Sequence, residues 1–171
     1  STTINNLNET AIGILLWRAL LQWLGGIGIN VMAIAVLHVL SVGGMQLFRT
    51  ELSNHSKRLL PRAAPTAAWI TLTYAVLTLT WAIALWAAGM NHFDAICHAM
   101  TTIATGGFST SDESIGSFNS SHIDWIVITG MLVGGLPFML YLQLVRGRPL
   151  AVLRDSQVQC FLGISAVAAV L

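Results

Sequence analysis

Residues 93–111 read FDAICHAMTTIATGGFSTS, and this stretch decides the fold. Its first part, 93–103, is apolar enough to enter a membrane but too short to cross one, since a spanning helix needs about 20 residues at about 1.5 Å each. The part that follows, ATGGFSTSDES (104–114), is rich in Gly, Ser and Thr. Together they predict a short helix that dips into the bilayer and returns as extended chain. Asn91 or Asp94 suits the outer N-terminus of that helix, which leaves its partly negative C-terminal end pointing into the membrane, where it attracts cations. Returning backbone at that depth has unpaired carbonyls, which survive only where they line a water or ion path.

Gly106-Gly107 permits positive φ and close approach of backbones. A row of carbonyls that replaces a hydration shell is the principle of potassium-selective filters with a Thr-Val-Gly-Tyr-Gly loop. Thr105-Gly106-Gly107-Phe108-Ser109 matches that loop at the Thr, the central Gly and the aromatic; it has Gly for Val and Ser for the last Gly. A Gly-Gly in an outer loop is also an ordinary turn signal.

The surrounding chain supports a membrane setting. Of 171 residues 55% are hydrophobic and only 9% charged, against roughly 25% in soluble domains. The mean hydropathy is +0.73. This excludes a cytosolic enzyme domain, a disordered tail and a disulfide scaffold. A net charge of +1 excludes a basic nucleic-acid footprint. Uncharged runs cover 19–48, 63–93, 125–145 and 156–171, the last being too short to span and stopping in mid-pattern. The chain therefore reads as a piece cut from something longer.

Arg49, Lys57, Arg58 and Arg62 cluster in one connection, and Arg146, Arg148 and Arg154 in another. Between them, 89–124 holds Asp94, Asp112, Glu113 and Asp124 with no basic residue. The positive-inside rule makes the two basic loops cytoplasmic and the acidic connection external. Trp17, Trp23, Trp86 and Trp125 are expected at outer interfaces, Trp69 at an inner one and Trp81 in packing. Cys97 and Cys160 fall on opposite faces, so a disulfide is not expected.

The chain also resembles itself. WIVITGMLVGG from Trp125 parallels WRALLQWLGG from Trp17, with offsets of 108 at the Trp and 109 at the Gly pair. This implies a helix–pore loop–helix unit used more than once, with about four needed to ring a filter. By that offset an earlier unit's filter glycine would lie just before Ser1.

LLWRALLQWLGGIGI, VGGMQLFRTE, TIATGGFST and DESIGSF together resemble the Trk-type potassium-uptake proteins of bacteria, the TrkH/TrkG family. The resemblance implies an all-α membrane fold, a fragment of a four-repeat chain, with helix–pore loop–helix repeats of the potassium-channel-like type. In it, 1–10 is an outer loop after the first filter, 11–45 the second helix of the first repeat and 46–65 a cytoplasmic loop. The second repeat is 66–145: helix 66–90, pore helix 93–103, filter 104–110, outer loop 111–122 and helix 123–145. A cytoplasmic loop, 146–157, and the truncated first helix of the third repeat, 158–171, complete it. The resemblance further implies K⁺ uptake across the inner membrane through Thr105, Gly106, Gly107, Phe108 and Ser109, with the filter loop facing outside. It implies K⁺ as the transported ion, no cofactor, a TrkA-like cytosolic nucleotide-binding regulatory subunit, and a homodimer. Its gate lies in a third-repeat helix beyond this sequence.

Other residues have two readings each. Gly25, Gly26 and Gly28, and Gly134, Gly135 and Pro137, are either pore-lining kinks or sites of close helix packing, Pro137 making a kink in either case. Asp112 and Glu113 are a cation-collecting outer mouth or a solvated loop. Arg18 senses ions, or snorkels or pairs with an acid. Asp94 and His98 have metal or acid–base spacing but lack a third ligand nearby in sequence; helix-start electrostatics for Asp94 and a buffered hydrogen bond for His98 are the plainer roles. Thr71, Thr73, Thr78 and Thr80 can bond back to their own helix. Two further function classes stay open: a membrane-embedded enzyme built on His92, Asp94 and His98, and a non-conducting structural subunit. No hydrolase elbow, zinc motif or phosphate loop is present.

Overall fold

The computed structural model describes residues 6–44, 63–145 and 155–170. The basic stretches expected as cytoplasmic loops lie outside the described residues, apart from the helical turns at their ends. The elements run α1 (Ile12–Gly44), α2 (Ala63–Ala87), α3 (His92–Ile103), α4 (Ser121–Gly134), α5 (Phe138–Val145) and α6 (Ser156–Val170). Short 3₁₀ turns lie at Leu7–Glu9 and Ser114–Phe118.

Two helices hold apolar spans long enough to cross a membrane, Ile12–Met32 and Ala67–Ala87. Their apolar residues do not keep to one face. Ile12, Leu21, Ile29, Leu72, Val76, Leu79 and Ile83 are all exposed, the pattern of helices solvated by lipid. Thr71, Thr73, Thr78 and Thr80 of α2 each donate to the carbonyl four residues back, at 2.8–3.0 Å. Helix geometry thus satisfies these hydroxyls without a ligand.

The helix expected over 66–90 stops at Ala87. Gly89, at φ 106°, lets its own N–H reach Trp86 O and the N–H of Met90 reach Leu85 O, the two bonds of a Schellman ending. Met90 and Leu85 then bury each other in a core shared with Ala95, Ala99, Ile123 and Val127. Asn91 starts α3 at once: its side chain accepts from Asp94 N–H at 2.8 Å. α3 therefore turns back into the molecule and packs among α1, α2 and α4.

Two tryptophans pin the helices around it. Trp81 Nε1 donates to Ile126 O at 2.8 Å, tying α2 to α4, as expected of a packing residue. Trp23 donates to Thr78 Oγ1 at 2.9 Å and its ring lies 5.5 Å from Tyr74. Trp23 thus serves in helix packing, three turns along α1 from its start at Ile12, about 16 Å at 1.5 Å per residue.

The helix expected over 123–145 is two helices, broken at Gly135-Leu136-Pro137. Pro137 has no N–H, and its ring would meet the carbonyl of Val133. That carbonyl accepts instead from Leu136 N–H at 3.2 Å and from the Tyr141 hydroxyl at 2.5 Å. The outer loop expected over 111–122 contains the 3₁₀ turn Ser114–Phe118 and the first turn of α4. α6 starts two residues before the expected 158, with Asp155 Oδ1 accepting from Gln157 N–H at 2.8 Å.

Candidate functional site

The site is the chain that follows α3. After Ile103 the backbone tightens: Ala104 N–H bonds to Met100 O, Thr105 N–H to Thr102 O and Gly106 N–H to Thr101 O, at 2.8–3.1 Å. Thr105 sits at φ 53° and Gly107 at φ 73°. The first is a sparsely populated conformation for a β-branched residue, a local strain that clusters at functional sites. The chain from Gly106 then climbs back along α3 without regular structure.

A set of bonds ties this returning chain to α3. Thr101 Oγ1 donates to Phe108 O at 2.9 Å. His98, only 1% exposed, bridges with Nδ1 2.8 Å from Asp94 O and Nε2 3.0 Å from Ser109 Oγ. Ser109 Oγ also accepts from Ser111 N–H at 3.1 Å. At the outer end Thr110 donates to Asp94 Oδ1 at 2.5 Å, while Asn91 Nδ2 donates to Asp94 Oδ2 at 2.6 Å.

Between the tight turn and these ties lie Thr105, Gly106 and Gly107, all exposed. Among the described residues, no hydrogen bond is accepted by their carbonyls. Backbone held open in this way, with Phe108 O and the Ser109 and Thr110 hydroxyls tied to α3, is a row of oxygens available to a ligand. The dipole of α3 adds a partial negative charge at the same end.

A family model described as TrkH, cation transport protein, matches residues 1–164. The chain belongs to the TrkH family of cation transport proteins. It is 46% identical over 167 residues to the Trk system potassium uptake protein TrkH of Escherichia coli K12, covering 96% of this chain and 35% of that protein. It is 46% identical over 160 residues to TrkI of Halomonas elongata, covering 93% of this chain and 32% of that one. The crystal structure of the potassium transporter TrkH from Vibrio parahaemolyticus matches with a TM-score of 0.82 at 38% identity, over 98% of this chain and 33% of that chain. The chain thus spans about a third of the length of the curated relatives it matches. The all-helical pore-loop arrangement is that of a segment of a TrkH-family protein.

Within this TrkH-family segment the residues singled out from sequence fall as follows. Thr105 to Ser109 form the returning strand, but Phe108 O and Ser109 Oγ are bound back to α3. Asp112 Oδ1 accepts from Leu7 N–H at 2.8 Å, tying the chain before α1 to the loop after the strand; Glu113 is exposed. Gly134 lies against the carbonyl of Ile103, at the inner end of α3. A Cβ on Gly135 would come 2.8 Å from Phe161 Cζ. Pro137 makes the break already described. α1 is unbroken through Gly25, Gly26 and Gly28. Of these only Gly26 has close neighbours, Tyr74 and Ala104, so the set is not a kink.

Among the described residues Arg18 has no acidic partner, and its guanidinium lies 5.0 Å over the Phe108 ring. Among the described residues, no group of three His, Cys, Asp or Glu could hold a metal. Sequence reading missed Thr101 and Gln22. The first was signalled only by its place one turn above the end of a re-entrant helix. The second had no local signal.

Proposed function

We propose that this chain supplies one strand of the selectivity filter of a potassium-uptake protein, and that K⁺ is held by the carbonyls of Thr105, Gly106 and Gly107. The carrying observation is the run of three open carbonyls between the tight turn after α3 and the ties of Phe108, Ser109 and Thr110 to α3. Phe108 and Ser109 anchor the outer end of the strand. A dehydrated K⁺ needs oxygens that do not have to be drawn from other bonds, which such a strand supplies without reorganisation. The names of the relatives, potassium uptake proteins of the Trk system, support the same ion.

The proposed setting is the bacterial inner membrane, with the strand opening to the outside. Asp112 and Glu113 would raise the local cation concentration at its mouth. The complete protein would ring the pore with four such strands, pair as a homodimer and bind a TrkA-like nucleotide-binding subunit at the cytoplasmic face. The family resemblance supports these partners. The break at Gly134, Gly135 and Pro137 would line the inner pore.

The test is growth of potassium-uptake-deficient cells on limiting K⁺ with the full-length protein. Gly107→Asp should abolish growth, because it puts a side chain and a charge at a positive φ. Normal growth of that variant would overturn the filter. The enzyme reading makes the opposite prediction, with His98→Ala abolishing function while Gly107 substitutions do not. The burial of His98 and the engagement of both ring nitrogens argue against it.

A further inference from the structure

The face of α1 that meets the returning strand follows a register. Arg18 lies over Phe108, with its guanidinium carbon 5.0 Å from the ring centroid. One turn deeper, the Gln22 carboxamide occupies the space that a Cβ on Gly106 would fill. One turn deeper again, a Cβ on Gly26 would come 3.4 Å from Ala104 Cβ. Positions 18, 22 and 26 thus meet 108, 106 and 104. Four residues of helix rise about 6 Å, and two residues of extended chain advance about 6.6 Å. The helix and strand steps therefore match between Gly106 and Phe108, while Ala104 lies in the tight turn that precedes the strand. Alternate strand positions face the helix, which leaves Thr105 and Gly107 between them.

We propose that Arg18 and Gln22 are positioning residues of the filter, a rail on α1 that fixes the height and direction of the Thr105–Ser109 strand and so sets its ion selectivity. The inference rests on the filter reading given above. By the internal repeat α1 belongs to the unit before the strand, so the rail joins one unit to the next. Three observations support it beyond the register. Arg18 Nη1 and Gln22 Oε1 are both buried without a hydrogen-bond partner, an arrangement that costs stability. The gap between Arg18 and the strand, bounded by Leu15, Cys97, Thr101, Phe108 and Ser109, is about 10 Å³, the room of one water at most. Gly106 is not at positive φ, so its backbone would accept alanine; a side chain there would displace the Gln22 carboxamide from its place. Gly107 is the converse, with open space around it but φ 73°.

The two glycines therefore have separable roles, which makes the rail testable. The full-length protein is assayed in potassium-uptake-deficient cells for radiolabelled Rb⁺ uptake in competition with Na⁺, per amount of protein in the membrane. Gln22→Ala opens a gap behind the strand and Gly106→Ala overfills the same space. Each should lower the preference for Rb⁺ over Na⁺, with less effect on maximal rate. Combining them restores the volume, so the double variant should be closer to wild type than either single one. Arg18→Leu should lower the preference by about fivefold, the scale of a partly buried cation–π contact, and Arg18→Lys by less. Unchanged preference in the single variants, or additive losses in the double, would overturn the rail. If Arg18→Leu does not reach the membrane, the Gln22 and Gly106 pair decides the matter. The two readings fail separately: a Gly107→Asp protein that still supports uptake overturns the filter itself. Loss with Gly107→Asp but an unchanged preference in the Gln22, Gly106 and Arg18 variants overturns only the rail.

Discussion

At His98 one carbonyl sets the direction of two hydrogen bonds. Asp94 O can only accept, so Nδ1 carries the proton, and in the neutral ring Nε2 accepts from the Ser109 hydroxyl. Ser109 Oγ is then free to accept from Ser111 N–H. The chain of bonds holds the outer end of the strand against α3. Replacing His98 by Leu leaves the Ser109 hydroxyl without its acceptor in a buried site, at an expected cost of about 2 kcal/mol. A lower apparent melting temperature of the detergent-solubilised full-length protein would show it, and unchanged melting would remove His98 from this role. The pairing follows from simple geometry. A helix descending five residues from His98 covers about 7.5 Å, and extended chain climbing three residues from Gly106 covers about 10 Å, which sets Ser109 beside His98. Gly107 was legible because its glycine answers to local backbone. Gly106 was not, because its constraint is Gln22, which lies 84 positions earlier in the sequence.

The broken helix after the strand shows the same division among elements. Pro137 after Gly134-Gly135 announced a kink, but nothing local said that the break would be full or that Tyr141 would fill it. The Val133 carbonyl accepts the Tyr141 hydroxyl beside the Leu136 N–H, which ties α5 back to α4 across the break. Tyr141→Phe removes one of these two bonds and should cost about 1 kcal/mol, read in the same melting experiment, with the ring contact to Phe138 kept. Gly134 has a different neighbour, the Ile103 carbonyl at the inner end of α3. Gly134→Val should push α4 off the pore helix and reduce K⁺ uptake more than it reduces the amount of protein in the membrane, measured side by side. The runs of uncharged sequence overlap α1, α2 and α6, since lipid solvation acts on composition alone, but 19–48 starts seven residues after α1 does. They overran the end of α2 because Gly89, Met90 and Leu85 act through a cap and a core contact, which hydropathy does not register.

For the whole molecule, the placement of fifteen charges is enough to isolate the one uncharged stretch that must face something other than lipid. What it cannot supply is the rest of the ring. Three open carbonyls on one strand do not replace a hydration shell, and the shell closes only when strands from other units converge. On the proposed filter, an ion bound at that point would touch every unit and so couple to the stability of the whole fold. Binding to the folded state alone adds RT ln(1 + [L]/Kd), about 2.7 kcal/mol at a hundredfold excess over Kd. The full-length protein should therefore melt at a higher temperature in K⁺ than in Na⁺ at equal ionic strength, with the difference growing as the logarithm of K⁺ concentration. Gly107→Asp should melt at the same temperature in both salts, because it removes the ion and leaves the helices. A K⁺-dependent rise that persists in that variant would place the ion elsewhere in the molecule. Equal melting of the wild type in both salts would mean that the ring does not hold K⁺ in preference to Na⁺ at rest.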